Sequence, residues 1–492
     1  MIVQTPLGQI EGAERDGVCA FRGIRYAEAP TGERRFCPPV PVSSWPGIYD
    51  AKRFGPSSPQ RPQPPSPPEE MDEDCLFLNV YTPAVDDAKR PVLFWIHGGG
   101  YVGGSGRMYN GRVFVQEHDV VVVTINYRLG ALGFMHVGHL DQALNESVNN
   151  GILDQICALE WTRDNISAFG GDPGNIMIFG ESAGGTSTAM LLGCPRAEGL
   201  FHKAVIHSPH VDLIEVGEGH KNFANRCIER LGGKPDENGM ATLREASVEQ
   251  LLALQDPDPE VKHQPNLALR RPEGVSFSPA IDGSLIPCPV ADTIRQRGKA
   301  NVPFMGGGCR HEGTLFSQIV GSREYTEQQA IELVEREGFD GAKAMQVYET
   351  FTPGATPREK LVYALTDTMF RNSMVRILDA AAESGADCWS WMCTWENDLP
   401  DGSLRATHAI ELSFIWGWAD KVPGIAGTNP PLDLGAAMRE YWVNFAKTGK
   451  PSAINEPVWP VYNTNERPVM VLDAERRIEN DLDGEVRQFW FG

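Results

Sequence analysis

Four stretches of mostly apolar residues, each as long as a β-strand, follow one another between about residues 90 and 210. Their sequences are "PVLFWI", "VVVVTI", "NIMIF" and "KAVIH". Because short continuous apolar runs are typical of strands covered on both faces, they predict a buried sheet. Between the second and third runs, Ile152, Ile156 and Leu159 recur at helical spacing. This alternation of strand and helix predicts an α/β fold with a mostly parallel central sheet and helices on both faces.

The same alternation returns in the second half of the chain. A strand is predicted at residues 302–308 and another in "DCWSWMCTWE", and the stretch from about Tyr325 to Ser384 is rich in helix signals. Near the C terminus a helical face is formed by Met438, Tyr441, Trp442 and Phe445. Gly449 follows this face and is expected to end the helix.

Composition narrows the range of partners. The chain has 492 residues, of which 41% are hydrophobic and 22% charged, and its net charge is −21. Phosphate backbones and anionic lipid surfaces would repel such a protein, so we expect neither a nucleic-acid nor a membrane partner. The apolar runs are also far shorter than the roughly 20 residues of a membrane-spanning helix. The composition does not indicate an oligomeric state.

The cysteines and histidines suggest neither a disulfide framework nor a metal site. The ten cysteines are scattered without CxxC pairs, a distribution typical of buried thiols in a reducing compartment. The chain opens with "MIVQTPLGQIEGAERDG", which has no basic start followed by an apolar block, so we expect a cytoplasmic location. The histidines in "FHKAVIHSPH" and "HVGH" match no zinc-binding spacing, and we expect no metal and no cofactor.

The segment "IFGESAGG" contains the candidate nucleophile, Ser182. A G-x-S-x-G pattern alone is weak, because turns use both glycine and serine. Here it lies between a predicted strand ending at Phe179 and a predicted helix over Thr186–Leu192. That context is typical of a nucleophile elbow, in which the helix N terminus directs N–H groups at the site. The glycine run "HGGG", after an earlier strand, is the expected second source of N–H donors for an oxyanion.

A serine nucleophile needs a base, and the base needs an acid. In this architecture the chain order is serine, acid, histidine, and His408 is the only histidine after His311. We therefore predict His408 as the base and Glu312, after the glycines of "MGGGCRHEG", as the acid. His311 is adjacent to Glu312, but neighbouring side chains diverge, so we do not expect both to enter one pocket. Asp282 and Asp420 stay open as alternative acids, although Asp282 has the position of a turn residue.

With these residues in place, the sequence resembles the type-B carboxylesterases, the family that includes the cholinesterases and the bacterial p-nitrobenzyl esterases. The resemblance extends over nearly the whole chain. Its segments are "FRGIRYAEAPTGERRF", "EDCLFLNVYTP", "INYRLGALGF", "NISAFGGDPGNIMIFGESAGG", "LFHKAVIHS", "HEGTLF" and "THAIELSFIWG". It implies a single α/β-hydrolase domain over residues 1–492, with a helical, cap-like insertion at about residues 320–385.

The resemblance also implies roles for individual residues. Ser182, Glu312 and His408 match the catalytic triad. The backbone N–H donors of the oxyanion hole match Gly99, Gly100 and Ala183. Ser208 matches an accessory serine that hydrogen-bonds around the triad in relatives, although Pro209 replaces the usual glycine.

Two departures from the family pattern refine the expected function. The segment "FGPSSPQ" lacks the cysteine that pairs with the one in "EDCL" in secreted relatives, so Cys75 has no expected partner. The following loop has no tryptophan where choline-ester enzymes place their cation-binding ring, which disfavours cholinesterase activity.

The predicted function is a serine carboxylesterase that acts on small-molecule esters through an acyl-enzyme. A carbamate or amide hydrolase with the same triad is the alternative, and a non-catalytic adhesion or scaffold relative is a remote one. The pocket is expected to take residues from the insertion and from Phe414 and Trp416.

Overall fold

The structure, a computed structural model, describes residues 1–62, 70–213, 215–256, 276–300, 302–320, 322–336, 338–399 and 403–491. Two compact units can be distinguished. The first comprises the described parts of Met1–Ala204, Leu213–Lys262 and Glu273–Pro289. The second comprises the described parts of Val205–Asp212 and Val290–Gly492.

The first unit contains most of the strands. They are β1 (Ile2–Thr5), β2 (Gly8–Glu11), β3 (Ala13–Arg15), β4 (Val18–Arg25), β5 (Ile48–Asp50), β6 (Phe77–Thr82), β7 (Arg90–Ile96), β8 (Val121–Ile125) and β9 (Gly171–Glu181). Its helices are α1 (Arg112–Glu117), α2 (Gly130–Phe134), α3 (Asn150–Asn165), α4 (Ala183–Gly193), α5 (Glu218–Arg230), α6 (Pro235–Glu245) and α7 (Val248–Ala253). Strand β10 (Lys203–His207) contains residues of both units.

The main sheet of this unit has the strand order β9-β7-β8-β6-β4-β3. β7 pairs in parallel with both β8 and β9, whereas β6 and β4 continue the sheet in antiparallel orientation. The residues of β8 are all buried, as its continuously apolar sequence predicted. Helix α3 lies between β8 and β9 in the chain, and its residues Ile152, Ile156 and Leu159 are buried. The parallel strands therefore end close together, and the glycine loop and the elbow follow directly from those ends.

The second unit contains fewer strands and more helices. Its strands after β10 are β11 (Phe304–Cys309), β12 (Cys388–Cys393), β13 (Pro468–Leu472) and β14 (Arg477–Asn480). Its helices are α8 (Val290–Arg297), α9 (Ser317–Val320), α10 (Glu327–Arg336), α11 (Gly341–Phe351), α12 (Pro357–Thr366), α13 (Asn372–Ser384), α14 (Ile410–Ile415), α15 (Pro423–Ala426), α16 (Leu432–Thr448) and α17 (Gly484–Phe491).

β11, β12 and β13 are parallel neighbours, and β14 adds an antiparallel edge. Helices α9 to α13 fill the stretch between β11 and β12, where the sequence predicted a helix-rich insertion. Their apolar residues form a core in which Tyr348 and Leu361 are fully buried, and Val486 of α17 also belongs to it. The predicted helix near the C terminus is α16, and Gly449 ends it in the left-handed conformation with φ 76°. The prediction of an α/β fold with a large, mostly parallel sheet is confirmed, whereas the single domain and the cap-like role of the insertion stay predictions.

Within the described residues, no helix combines the length and the apolar composition that crossing a membrane would require.

Candidate active site

The elbow places Ser182 between β9 and α4 in a strained backbone conformation. Its φ is 57° and its ψ is −121°. Such a conformation costs a side-chain-bearing residue about 1–3 kcal/mol, so the surroundings must enforce it. Gly184 supplies part of that enforcement, because a Cβ there would collide with the carbonyl oxygen of Ile96 on β7. The G-x-S-x-G spacing therefore allows β7 and α4 to approach closely enough to hold Ser182 in the turn.

The glycine loop after β7 passes directly beside Ser182. A Cβ on Gly98 would lie 3.1 Å from the Cβ of Ser182. Gly99 has φ 109° and Gly100 has φ 61°, values that favour glycine. The carbonyl oxygen of Gly99 accepts the N–H of Gly103 at 3.0 Å, which closes the turn. The predicted oxyanion-hole residues of this loop are thus next to the candidate nucleophile.

Buried side chains fix the loop against the helix that follows Ser182. The ring of His97 stacks on Tyr127 with centroids 4.4 Å apart, and the Tyr127 hydroxyl donates to the His97 carbonyl at 2.7 Å. Burial lowers the pKa of His97 to about 4, so this imidazole is neutral at pH 7. The Tyr101 hydroxyl donates to the carbonyl of Ala183 at 2.8 Å. These contacts leave the loop little freedom to move relative to α4.

In the second unit, Glu312 and His408 form a buried hydrogen-bonded pair. Nδ1–H of His408 donates to Oε2 of Glu312. The other carboxylate oxygen, Oε1, accepts the Ser208 hydroxyl at 2.6 Å and the backbone N–H of Cys309 at 2.6 Å. With its proton on Nδ1, the neutral ring of His408 has its lone pair on Nε2, which is the arrangement a general base requires.

Aromatic rings hold the His408 imidazole from its faces and edges. Phe370 stacks on it with centroids 4.5 Å apart and an interplanar angle of 23°. Phe316 lies 5.2 Å from the same ring. These contacts restrict the ring to the orientation in which it meets Glu312.

The alternative residues lie elsewhere. His311 diverges from Glu312 and packs against Phe351 and Tyr363, with Nδ1 3.7 Å from Oε1 of Glu396. Asp282 accepts the N–H groups of Ser284 and Ile286, the turn role that its sequence position indicated. Asp420 is exposed. Among the acids that the sequence left open, the structure brings Glu312 to His408.

Four buried residues near this pair were not anticipated from the sequence: Glu411, Cys309, His207 and Trp442. Glu411 is three residues after His408 and accepts hydrogen bonds from the Cys309 thiol and from His207. For Cys309 and Glu411 the signal in the sequence was position, since they lie inside "GGGCRHEG" and "THAIELSF" beside the predicted acid and base.

A cavity of about 70 Å³ opens behind the carboxylate of Glu312. Its lining includes Ser208, Gly308 and Glu312, together with Met374 and Tyr462. A water molecule needs roughly 10–15 Å³ of such volume, so the cavity is large enough for several.

The described residues contain no group of three histidine, cysteine or carboxylate side chains arranged to hold a metal ion. None of the ten cysteines forms a disulfide. Cys75 is one of them, and burial raises the pKa of its thiol to about 12.

The predicted site residues thus fall into two groups. Ser182, Ala183 and the glycines of the loop lie together in the first unit, and Glu312, His408 and Ser208 lie together in the second. The catalytic roles assigned to them stay predictions.

Comparison with known proteins shows the family of the chain. Residues 1–490 match the model of the Carboxylesterase family. The chain belongs to this family. It is 33% identical to the para-nitrobenzyl esterase of Bacillus subtilis (strain 168) over 506 residues, covering 100% of this chain and 98% of that protein. It is 31% identical to the phenmedipham hydrolase of Pseudarthrobacter oxydans, covering 98% and 97% of the two chains.

A solved structure points to the same family. The carboxylesterase EST55 of Geobacillus stearothermophilus superposes with a TM-score of 0.87 at 34% identity, covering 99% of both chains. The resemblance to type-B carboxylesterases is therefore confirmed, and the protein is a carboxylic ester hydrolase with the α/β-hydrolase fold.

Proposed function

We propose that Ser182, His408 and Glu312 act as one catalytic triad that hydrolyses small-molecule carboxylic esters through an acyl-enzyme. The observation that carries the proposal is the hydrogen bond from Nδ1 of His408 to the buried Glu312, because it sets the tautomer a base needs. The strained elbow at Ser182 and the family membership support the choice of nucleophile.

In the first step, Nε2 of His408 takes the hydroxyl proton as Oγ of Ser182 attacks the ester carbonyl carbon. The negative charge that develops on the carbonyl oxygen is stabilised by the backbone N–H groups of Gly99, Gly100 and Ala183. Glu312 stabilises the imidazolium that forms. The tetrahedral intermediate then collapses, the C–O bond to the alcohol breaks, and the alcohol leaves with the proton from His408.

In the second step, water attacks the acyl-enzyme while His408 takes one of its protons. The same N–H groups stabilise the second tetrahedral intermediate. Its collapse breaks the bond to Oγ, returns the proton to Ser182 and releases the carboxylic acid. The cycle uses only groups of the chain and water.

The first experiment is a hydrolysis assay on the purified protein with p-nitrobenzyl and p-nitrophenyl esters, beside Ser182→Ala and His408→Ala. We expect either substitution to lower kcat by at least about 10⁴-fold, because each removes a group on which the whole proton transfer depends. An active-site phosphonate should label the wild type at Ser182, as seen by peptide mass spectrometry. Ester turnover that persists in Ser182→Ala would overturn the proposal.

A carbamate or amide hydrolase with the same triad is the second candidate, since acyl transfer is common to all three substrate classes. Because one relative is a phenmedipham hydrolase, the assay should include phenmedipham. A kcat/KM for an aryl carbamate or an anilide above that for the matched aryl ester would favour this candidate.

We also propose a cytoplasmic location, which is supported by ten cysteines that form no disulfide. Fractionation of the source cells with an antibody against the protein tests it, and recovery of the protein outside the cytoplasm would contradict it.

A further inference from the structure

A second carboxylate, Glu411, lies buried one turn after His408 at the start of α14, and the mechanism above does not use it. It has no solvent exposure. Oε2 accepts the Cys309 thiol at 2.9 Å, and Oε1 lies 3.2 Å from Nδ1 of His207. A buried carboxylate is costly unless hydrogen bonds satisfy both oxygens, and here both are satisfied.

Trp442 determines how His207 is protonated. An indole N–H can only donate, and that of Trp442 donates to Nε2 of His207 at 3.1 Å. Nε2 is therefore the unprotonated nitrogen, and the ring proton lies on Nδ1, facing Glu411. His207 thus donates to the carboxylate as a neutral ring, and the negative charge stays on Glu411.

The electrostatic balance around Glu411 favours the ionised form. Burial alone would raise its pKa, but the hydrogen bonds from His207 and Cys309 and the nearby His408 outweigh burial, and the pKa lies below its ordinary value. Burial raises the pKa of the Cys309 thiol well above its ordinary value. The thiol is therefore protonated at neutral pH and able to donate its hydrogen.

Cys309 contacts both carboxylates beside His408. Its backbone N–H donates to Oε1 of Glu312 at 2.6 Å, and its thiol donates to Oε2 of Glu411. One residue at the end of β11 therefore sets the position of the triad acid and of the second carboxylate together.

We propose that Cys309 and Glu411 are positioning residues for His408. The Cys309 thiol holds the carboxylate of Glu411 in place, and the negative charge of that carboxylate stabilises His408 when it carries the transferred proton. This inference rests on the proposed role of His408 as the base. In this scheme Glu312 orients the ring through a direct hydrogen bond, and Glu411 acts through space.

Other titratable groups also face this cluster. Those in the second unit are Cys309 and Arg371 around the triad acid Glu312, and His207, His408 and Cys393 around Glu411 and Cys309. Only Glu411 can be neutralised by an isosteric change that leaves the hydrogen bonds of Glu312 intact, so it is the group to vary.

The test is the pH profile of kcat/KM for an aryl ester, measured in Glu411→Gln. Without the second charge the protonated form of His408 is less stable, so the acid-side midpoint should move to lower pH by about 0.5–1 unit. A weaker base should also lower kcat at neutral pH by about 3- to 10-fold, with KM unchanged. A residue that only supports packing would lower the melting temperature and leave the midpoint in place, and that result would overturn the proposal.

Substitutions of the thiol separate its role from that of the charge. Cys309→Ser keeps a donor and should keep the wild-type midpoint. Cys309→Ala removes the donor and should move the midpoint in the same direction as Glu411→Gln, but less. Because both act through one charge, Cys309→Ala should add nothing in the Glu411→Gln background. A full additional shift in the double variant would contradict the link.

Two controls make the outcomes distinguishable. Cys388→Ala removes another buried thiol of the same unit, one that contacts the carbonyl of Leu378, and should leave the profile unchanged. His408→Ala tests the proposed function itself. If it retains activity, the triad assignment fails; if it is inactive while Glu411→Gln has the wild-type profile, only the present inference fails.

Discussion

The nucleophile region and the acid–base region are built by different means. Around Ser182 the shape is set by backbone: a left-handed serine, a turn closed by Gly99, and glycines where a Cβ would collide with neighbouring atoms. Around His408 the shape is set largely by side chains, because Glu312 accepts a buried hydrogen bond from the Ser208 hydroxyl and Glu411 accepts one from the Cys309 thiol, each from more than 100 residues away. The first region depends on the absence of side-chain atoms, and the second on charge and hydrogen-bond donors.

This difference corresponds to the two tasks of the reaction. An oxyanion is best stabilised by donors already in position, and backbone N–H groups in a rigid turn do not have to reorganise. A base must change its charge during each cycle, so carboxylates whose own charge stays fixed have to surround it. We therefore expect steric changes to damage the first region and changes in charge to damage the second.

The largest effect is expected from removing the charge of the triad acid. Glu312→Gln keeps the shape of the side chain but replaces the carboxylate oxygen at Nδ1 of His408 by an amide NH2 group. A donor then takes the place of an acceptor, which favours the wrong tautomer of the ring. We expect kcat to fall by about 10³- to 10⁴-fold with a much smaller change in KM. Steady-state kinetics on an aryl ester measure this.

The matched control is Asp282→Asn, the same kind of change at an acid that caps a turn. It should leave kcat within about two-fold of the wild type. An equal loss in the two variants would mean that the acid has been assigned to the wrong residue.

The steric counterpart is Gly99→Ala in the glycine loop. Its φ of 109° is unfavourable for alanine, and the added Cβ would collide with the carbonyl oxygen of Gly103. The loop must shift, and the N–H donors shift with it, so we expect kcat to fall by about 10²- to 10³-fold. The melting temperature, measured in parallel, should stay high enough for the variant to be folded at the assay temperature.

Gly17→Ala is the control for backbone strain alone. Gly17 also has a positive φ, 73°, but a Cβ there meets nothing within 4 Å. It should cost about 1 kcal/mol of stability without affecting kcat. If Gly99→Ala retains wild-type kcat while folded, the loop has no part in stabilising the oxyanion.

The two regions also differ in how far the sequence predicts them. The elbow and the glycine loop are local patterns, since strand, glycines and helix follow one another within a few residues, and the structure has them where the sequence predicted. The acid–base region is non-local. Cys309 and Glu411 are 102 residues apart, and Trp442 and His207 are 235 apart. No periodicity or spacing connects such residues, because their contact is created by strand order and by the helix that follows His408.

The antiparallel strands β3, β4 and β6 were not predicted either. The apolar residues of β4 and β6 are as buried as those of parallel strands, and burial alone carries no information on direction, whereas β3 is exposed along its whole length. The direction is set by the connections between strands and by the pairing of β6 with β8.

The smallest effect is expected from Ser208→Ala, which tests how much redundancy the side-chain region contains. The Ser208 hydroxyl donates to Oε1 of Glu312, but the N–H of Cys309 donates to the same oxygen. The cavity beside Ser208 also has room for a water molecule that could replace the lost donor. The loss should therefore be smaller than that of an unreplaced hydrogen bond to a charged group, about 1.5–3 kcal/mol.

We expect kcat to fall by no more than about 10-fold in Ser208→Ala, with KM unchanged. Ser413→Ala removes another buried hydroxyl of the second unit, one that donates to the carbonyl of Ile410, and should leave kcat unchanged. A loss as large as that in Glu312→Gln would show that Ser208 holds the carboxylate without help, and that the cavity and the Cys309 N–H do not compensate. In that case the acid–base region would be as intolerant of single changes as the backbone turn around Ser182, and the contrast between the two regions would no longer hold.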